Sequence, residues 1–364
     1  MPSLRALHIH RIAGVGGSER HLLTLLPALR NHGIEPLFVG LDTRGDVEPF
    51  YRELAAAGIP SRRLHCRRDL EPRLLPQLVR AARELRADLV HTHLVHADVY
   101  GAAAAAALRL PLYSTKHNDD RFRLGPFRHV ERLLTRRSTR IVAITGALAR
   151  FCVERVGLPE AKVTVVHYGL DELPPAWGPN PEVELPAGSR VLLAVSRLVD
   201  QKGLETAVAA LPAIRRRHPD AVLLVLGEGP LRPALTAQAD RLGVAGALCL
   251  PGRAGDVAAW LRRAEIFVHP ARWEGFGLVL LEAMLAELPV VASAVSSIPE
   301  IVADNETGLL VRPSDESAFA SAVAGLLDER DRAQRLGAAG RERARSLFSV
   351  ERMARRTAEL YGSG

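Results

Sequence analysis

A chain of 364 residues has room for about two domains at roughly 150 residues each. With 48% hydrophobic and 24% charged residues it has the composition of a folded globular protein, which excludes a disordered chain. The net charge of +7 admits nucleic acid, anionic lipid or a phosphorylated small molecule as a partner.

Short apolar runs alternate with helical patterns from the start. The first half offers strands at Leu4–His10, Glu35–Leu41, Asp88–Thr92, Leu112–Thr115, Ile141–Ile144 and Val163–His167, with helical spacing between them as in Glu19–Asn31 and Leu74–Leu85. A proline-rich stretch, Leu173–Gly188, then interrupts every pattern and reads as a linker. The second half repeats the scheme with Val191–Val195, Val222–Leu226, Ala247–Leu250, Ile266–His269, Val290–Ala292 and Gly308–Val311. After Phe319 the chain is helical to its end. Near-continuous apolar strands separated by helices predict α/β architecture with a parallel sheet covered on both faces, twice over. The expected domains are residues 1–172 and 189–347, joined by the linker 173–188, with a C-terminal helix 348–364 packing back on the first domain. In such sheets ligands sit at the carboxyl ends of the strands, so the strand-to-helix junctions are where chemistry is expected.

The charge is arginine charge: of 48 basic residues only Lys116, Lys162 and Lys202 are lysines. It is also lopsided. Residues 1–172 hold 26 basic and 18 acidic residues, while residues 173–364 hold 22 and 23. Cys66, Cys152 and Cys249 lie too far apart for a disulfide framework or a CxxC metal site, which suits a reducing cytoplasm. No stretch is apolar enough to span a membrane, and Ala102–Ala107 reads as part of a buried helix.

Several familiar motifs fail. Gly14-Val-Gly16-Gly17-Ser18-Glu19 follows the first strand where a dinucleotide fingerprint would stand, but Glu19 occupies the third glycine position; Asp42 keeps a ribose contact open. No lysine follows a glycine, which excludes a Walker A loop, and no Asp-x-Asp occurs to hold a metal on a sugar diphosphate. His91-Thr92-His93 with His96 lacks a completing carboxylate or cysteine, so a pocket-lining role is favoured over metal ligation.

Four junctions in the second half fit the holding of a nucleoside diphosphate without metal. In Val195–Gly203, Arg197 offers a planar fork and Lys202 a point charge beside a helix N-terminus; alone, the pair reads as two solvated cations. Gly227-Glu228-Gly229-Pro230 permits close backbone approach, or forms a simple turn. In His269–Met284, Glu274 precedes and Glu282 lies within a helix starting near Leu278, after the loop Gly275-Phe276-Gly277. Glu282 is the only charge in an apolar helix, so it requires partners, and ribose hydroxyls are suitable donors. In the fourth junction, Ser293–Glu300, Ser296 and Ser297 precede the helical turn Ile298–Val302 and could donate backbone N–H groups to phosphate.

Together these residues, with EGFGLVLLEAM followed by PVVAS and IPEIV, resemble the retaining glycosyltransferases of family 4, which have the GT-B fold. The resemblance implies two Rossmann-like domains facing a cleft and a nucleotide sugar as co-substrate, with no cofactor or metal. It implies donor contacts from Arg197, Lys202, Gly227, Glu228, Glu274, Gly275, Phe276, Gly277, Leu278 and Glu282. Gly16 and Gly17 would approach the phosphates, and His117 would contact the transferred sugar through its ring or carbonyl. Arg197, Lys202, Glu274 and His117 are thus the catalytic candidates, and His91, His93, His117, Asn118 and Arg121 fall on the acceptor side. This sequence departs from the family where Ser296-Ser297 replaces a common Gly-Gly, and where His167–Asp171 replaces a common Asn-Gly-x-Asp turn.

The acceptor, a glycan, lipid-linked or small molecule, is expected on the first domain. There seven arginines between Arg121 and Arg140 interleave with apolar residues and suggest a contact with an anionic membrane surface from the cytoplasm; a solvated helix with pairs such as Arg128–Glu131 explains them as well. A nucleotide-sugar 2-epimerase of related fold is the competing enzyme class. A nucleic-acid binder would explain the charge but shows no RNP, KH or zinc-finger pattern.

Overall fold

The computed structural model describes all residues except 1, 2, 44, 69, 70, 120, 174, 177, 363 and 364. The chain divides into two compact units, Met1–Gly169 with Ser349–Gly364, and Leu170–Phe348.

The first unit is built on β1 (Leu4–Ile12), β2 (Ile34–Asp42), β3 (Ser61–His65), β4 (Leu89–His93), β5 (Leu112–Lys116), β6 (Arg140–Ala143) and β7 (Val163–Val165). All pair in parallel, in the order β3-β2-β1-β4-β5-β6-β7. Its helices are α1 (Gly17–Leu29), α2 (Glu48–Ala56), α3 (Leu74–Glu84), α4 (Leu94–Leu108), α5 (Phe127–Thr135) and α6 (Gly146–Arg150). Leu22, Leu25, Leu26 and Leu29 of α1 pack on one sheet face with Met353, Ala354 and Leu360 of the C-terminal helix Val350–Gly362. Leu78 and Ala82 of α3 and Ala104 of α4 cover the other face. Strands buried on both sides explain the near-continuous apolar runs. The strand β3 escapes a sequence reading because it is an edge: Arg62, Arg63 and His65 are exposed and no apolar run marks it.

In the second unit β8 (Arg190–Val195), β9 (Ala221–Leu226), β10 (Leu248–Gly252), β11 (Ile266–His269), β12 (Val290–Ser293) and β13 (Leu309–Val311) form a parallel sheet in the order β10-β9-β8-β11-β12-β13. The helices α7 (Leu204–Arg217), α8 (Arg232–Arg241), α9 (Val257–Arg263), α10 (Leu278–Leu285), α11 (Ile298–Ile301), α12 (Glu316–Asp328) and α13 (Arg330–Leu347) complete it. One core joins α7, α12 and the sheet through Leu211, Ile214, Val225, Val268, Phe319 and Val323. The described residues between Leu173 and Gly188 form no helix or strand. In both sheets the strand order reverses once, at β1/β4 and at β8/β11. That reversal opens the crevice at which open α/β sheets bind ligands.

Candidate functional site

In the second unit the four junctions singled out by sequence meet at the carboxyl ends of β8, β9, β11 and β12. The Ser196–Lys202 loop after β8 is tied to the turn after β9 by Leu198 N–H donating to the Glu228 carbonyl (2.9 Å). Only glycine fits at Gly227: its φ is +147°, and a Cβ there would lie 2.0 Å from the Ser196 carbonyl oxygen. The same loop is tied to the segment after β11, where Arg272 N–H donates to the Gln201 carbonyl (2.9 Å) and Gln201 Nε2 to the Trp273 carbonyl (3.2 Å). Gly203, at φ +57°, admits the Pro270 carbonyl where a Cβ would sit 2.2 Å away.

Lys202 and Glu274 are thereby brought together across the switch point. Lys202 Nζ donates to Glu274 Oε2 (2.5 Å), and His269 Nε2 lies 3.0 Å from the same oxygen. Glu274 is 8% exposed. Burial alone would raise its pKa, but Lys202 and His269 outweigh that and hold the carboxyl at about 2. Burial keeps His269 below its ordinary value despite Glu274, so it is a neutral donor. An ammonium has three N–H donors, so one bond to Glu274 leaves Lys202 able to meet an anion. His269 is a member of this cluster that sequence reasoning passed over as a strand end; its position five residues before Glu274 was the available signal.

Glu282 lies on α10 at 2% exposure. Gly277, Leu278, Gly275 and Phe276 form the entry to that helix, and Phe276 is buried. Ser297 braces the entry, its hydroxyl within reach of the Glu274 (3.0 Å) and Phe276 (3.2 Å) carbonyls and able to donate to one or the other. Ser296 adopts φ +47°. This left-handed conformation costs a non-glycine residue roughly 1–2 kcal/mol and explains why glycine suits the position. Among the described residues the Arg197 side chain reaches only Gln201 Oε1 (3.4 Å), and Glu228 faces Arg253 (3.7 Å) with most of its side chain exposed.

In the first unit Gly16 and Gly17 begin α1, and Glu19 has a structural role in place of the missing fingerprint glycine. Its Oε2 accepts from the Gly16 N–H (3.0 Å) and the Ser18 hydroxyl (3.0 Å), and its Oε1 meets His10 Nε2 (3.1 Å). This is a capping box that fixes the glycine turn. Asp42 does not face a ribose site: it is buried and accepts the Tyr51 hydroxyl.

His91 and His93, on β4, belong to a buried cluster with His8 and His10 of β1, His21 of α1 and His117 after β5. Burial lowers the pKa of His8, His93 and His117 well below the usual imidazole value, and His21 and His91 fall to about 3. All five are neutral near pH 7. His96 stands apart and pairs with Arg11 (2.5 Å). Among the described residues, His8, His91 and His93 place ring nitrogens within 4.8 Å of one another, a spacing open to a cation. Outside His91-Thr92-His93 the cluster was illegible in sequence, because His8 and His10 on β1, His21 on α1 and His117 after β5 lie in separate parts of the chain.

The loop bearing His117 and Asn118 is clamped from below. Lys116 Nζ donates to Asp98 Oδ2 (2.5 Å) and lies 3.2 Å from Glu131 Oε1. Asp98 also accepts from Thr92 (2.5 Å) and Ser114 (2.6 Å). Arg123 grips Glu131 through Nε (2.9 Å) and Nη2 (2.5 Å) and donates to the Asn118 carbonyl (2.7 Å). This corrects the surface reading of the arginine-rich stretch at two points. Arg123 is buried, not outward-facing, and Glu131 pairs with Arg123 and Lys116 rather than with Arg128. A buried carboxylate needs a cation held in good geometry, which the inward pair supplies. The rest of the stretch does reach the surface: Phe122 (52%) and Leu133 (64%) are exposed beside Arg128, Arg136 and Arg137. Arg121 stands in a single helical turn, Arg121–Leu124.

Two parallel α/β units, each with a polar cluster at its switch point, define a GT-B class of protein. The comparisons with known proteins agree. Residues 15–172 match the family model described as Glycosyltransferase Family 4, and residues 180–343 that described as Glycosyl transferases group 1. The chain is 33% identical over 293 residues to a glycogen synthase of Mycobacterium tuberculosis, covering 77% of this chain and 69% of the relative. It is 32% identical over 301 residues to a GDP-mannose-dependent alpha-(1-6)-phosphatidylinositol monomannoside mannosyltransferase of the same species, covering 75% and 77%. In fold it is similar to Anabaena HepE, crystallised in complex with UDP and glucose, with a TM-score of 0.84 at 21% identity over 99% of this chain and 100% of the other. The chain belongs to the family 4 type of glycosyltransferases.

Proposed function

We propose that this glycosyltransferase is a retaining enzyme that moves a sugar from a nucleoside diphosphate sugar to an acceptor hydroxyl without a metal ion. The observation that carries the reading is the Lys202–Glu274–His269 cluster at the β8/β11 switch point, where a cation is held beside a buried carboxylate. Lys202 and Arg197 neutralise the departing diphosphate, the work a metal would otherwise do. Glu274 holds a hydroxyl of the donor sugar, and Glu282 the ribose. A mannosyltransferase relative named as GDP-mannose-dependent and a structural neighbour holding UDP and glucose support a nucleotide sugar as donor. His117 has both ring nitrogens engaged, by His93 (3.1 Å) and Tyr168, which favours its main-chain carbonyl as the contact to the transferred sugar.

The first unit takes the acceptor, with His91, His93, Asn118 and Arg121 on that side. The exposed Phe122, Val130 and Leu133 among Arg128, Arg136 and Arg137 suit a lipid-linked acceptor reached from an anionic membrane surface. Among the described residues no helix is long and apolar enough to cross a membrane, so such an association is peripheral.

Calorimetric titration with UDP, GDP and ADP tests the donor site. One nucleotide binds the parent protein, and Lys202→Ala and Glu282→Ala weaken it about 10–100-fold, the worth of a charge-assisted hydrogen bond. Unchanged affinity in both variants refutes the site. Incubation with donor alone, yielding an epimer and no transfer, would place the chain with the epimerases.

A further inference from the structure

Six hydrogen bonds run in a single line through the first unit. The Thr115 hydroxyl meets His91 Nε2 (2.7 Å), and His91 Nδ1 meets the Tyr361 hydroxyl (2.5 Å). That hydroxyl also reaches His8 Nε2 (3.3 Å), and His8 Nδ1 meets His93 Nε2 (2.9 Å). His93 Nδ1 meets His117 Nε2 (3.1 Å), and His117 Nδ1 meets the Tyr168 hydroxyl. Every member is buried. The line begins and ends on hydroxyls, and each of its four imidazoles uses both ring nitrogens.

A neutral imidazole has one N–H donor and one acceptor nitrogen, and burial keeps these four rings neutral near pH 7. The Tyr361 hydroxyl likewise donates once, to His91 or to His8. The line therefore has only two fully bonded states. If Tyr361 donates to His91, then His8 must donate to Tyr361 from Nε2, His93 to His8 from Nε2, and His117 to His93 from Nε2, while His91 donates to Thr115 from Nε2. If Tyr361 donates to His8, every proton moves to Nδ1 and every bond reverses. A mixed state leaves two donors or two acceptors facing each other in the interior, or, where Tyr361 accepts from both His91 and His8, leaves its own hydroxyl proton buried and undonated, a loss of roughly 1–3 kcal/mol.

We propose that Tyr361, His8 and His93 form a tautomer relay that sets which nitrogen of His117 carries the proton. They are positioning residues: they hold the ring of the residue whose main-chain carbonyl is proposed above to contact the transferred sugar, and the inference rests on that reading for its functional consequence. The C-terminal helix, through Tyr361, is thus tied to a ring on the far side of the β1/β4 reversal. A cation held by His8, His91 and His93 is the rival use of the cluster. It would have to break the hydrogen bond at each ring nitrogen it took, since all six nitrogens of the three rings are engaged, whereas the relay uses every one of them.

Nitrogen NMR of the histidine side chains in the full-length protein tests this directly. In the parent, His8, His91, His93 and His117 all show the same tautomer. Tyr361→Phe takes the partner from His8 Nε2, and because a buried orphan N–H is rarer than an under-satisfied acceptor, His8, His93 and His117 become Nδ1–H together. Tyr168→Phe takes the partner from His117 Nδ1, and the same three become Nε2–H. The variants therefore show opposite tautomers, and one of them differs from the parent; in that one kcat falls while KM for the donor holds. Mixed tautomers in the parent, or a His8 tautomer that Tyr168→Phe and Tyr361→Phe leave alike, overturn the relay. So does stoichiometric metal in the protein as isolated. Equal kcat in both variants overturns the positioning role. The parent measurement needs no variant to fold and no substrate, so a failure of the transferase reading is seen separately as absent donor binding.

Discussion

Replacing Glu274 by glutamine removes a carboxylate from between Lys202 at 2.5 Å and His269 at 3.0 Å while keeping its shape. Burial would raise the pKa of that carboxyl; its partners lower it from 4.5 to about 2. The unfolded chain therefore binds this proton more readily than the folded one. At about 1.36 kcal/mol per pKa unit, the ionised group contributes roughly 3 kcal/mol to folding at neutral pH. That contribution is complete above the unfolded value of 4.5 and is lost as the pH falls through the folded value of about 2. Urea unfolding of parent and Glu274→Gln proteins, compared at neutral pH and at steps toward pH 2, measures it. The variant is expected to be less stable by about 3 kcal/mol at neutral pH, the gap closing as acid protonates the parent. A gap below about 1 kcal/mol, or one that does not shrink with acid, would refute the ion-pair argument.

The buried cation under the His117 loop gives a second test. Lys116→Met strands Asp98 and leaves Glu131 with Arg123 alone, so a loss of about 3–5 kcal/mol is expected in thermal unfolding; a loss under 1 kcal/mol would mean the network is not formed. At the surface, Phe122→Ser with Leu133→Ser should reduce co-sedimentation with vesicles containing anionic lipid. Equal binding of the parent to neutral and anionic vesicles would remove the membrane from the picture.

Much of the second unit was legible because its information is local. Apolar strand runs, the linker prolines and the loop Glu274–Gly277 before an apolar helix all declare themselves within a dozen residues. The first unit was less legible. Its edge strand β3 carries Arg62, Arg63 and His65 where a buried strand would carry apolar residues. Its arginine-rich stretch read as uniformly exposed, although Arg123 turns inward to Glu131.

By itself the sequence determined two α/β halves with parallel sheets, the strand-to-helix junctions that come together in the second unit, and the two glutamates that bracket the start of α10. Periodicity, glycine placement and a lone charge on an apolar helix follow from backbone geometry and desolvation, which act over short spans. Only the tertiary structure decided which junctions meet. Lys202 finds Glu274 seventy-two residues away because the sheet order reverses between β8 and β11. His8, His91 and Tyr361 come together because β1 and β4 are neighbours and the C-terminal helix packs over them. Contacts of that kind depend on strand order and helix docking, and no periodicity along the chain encodes them.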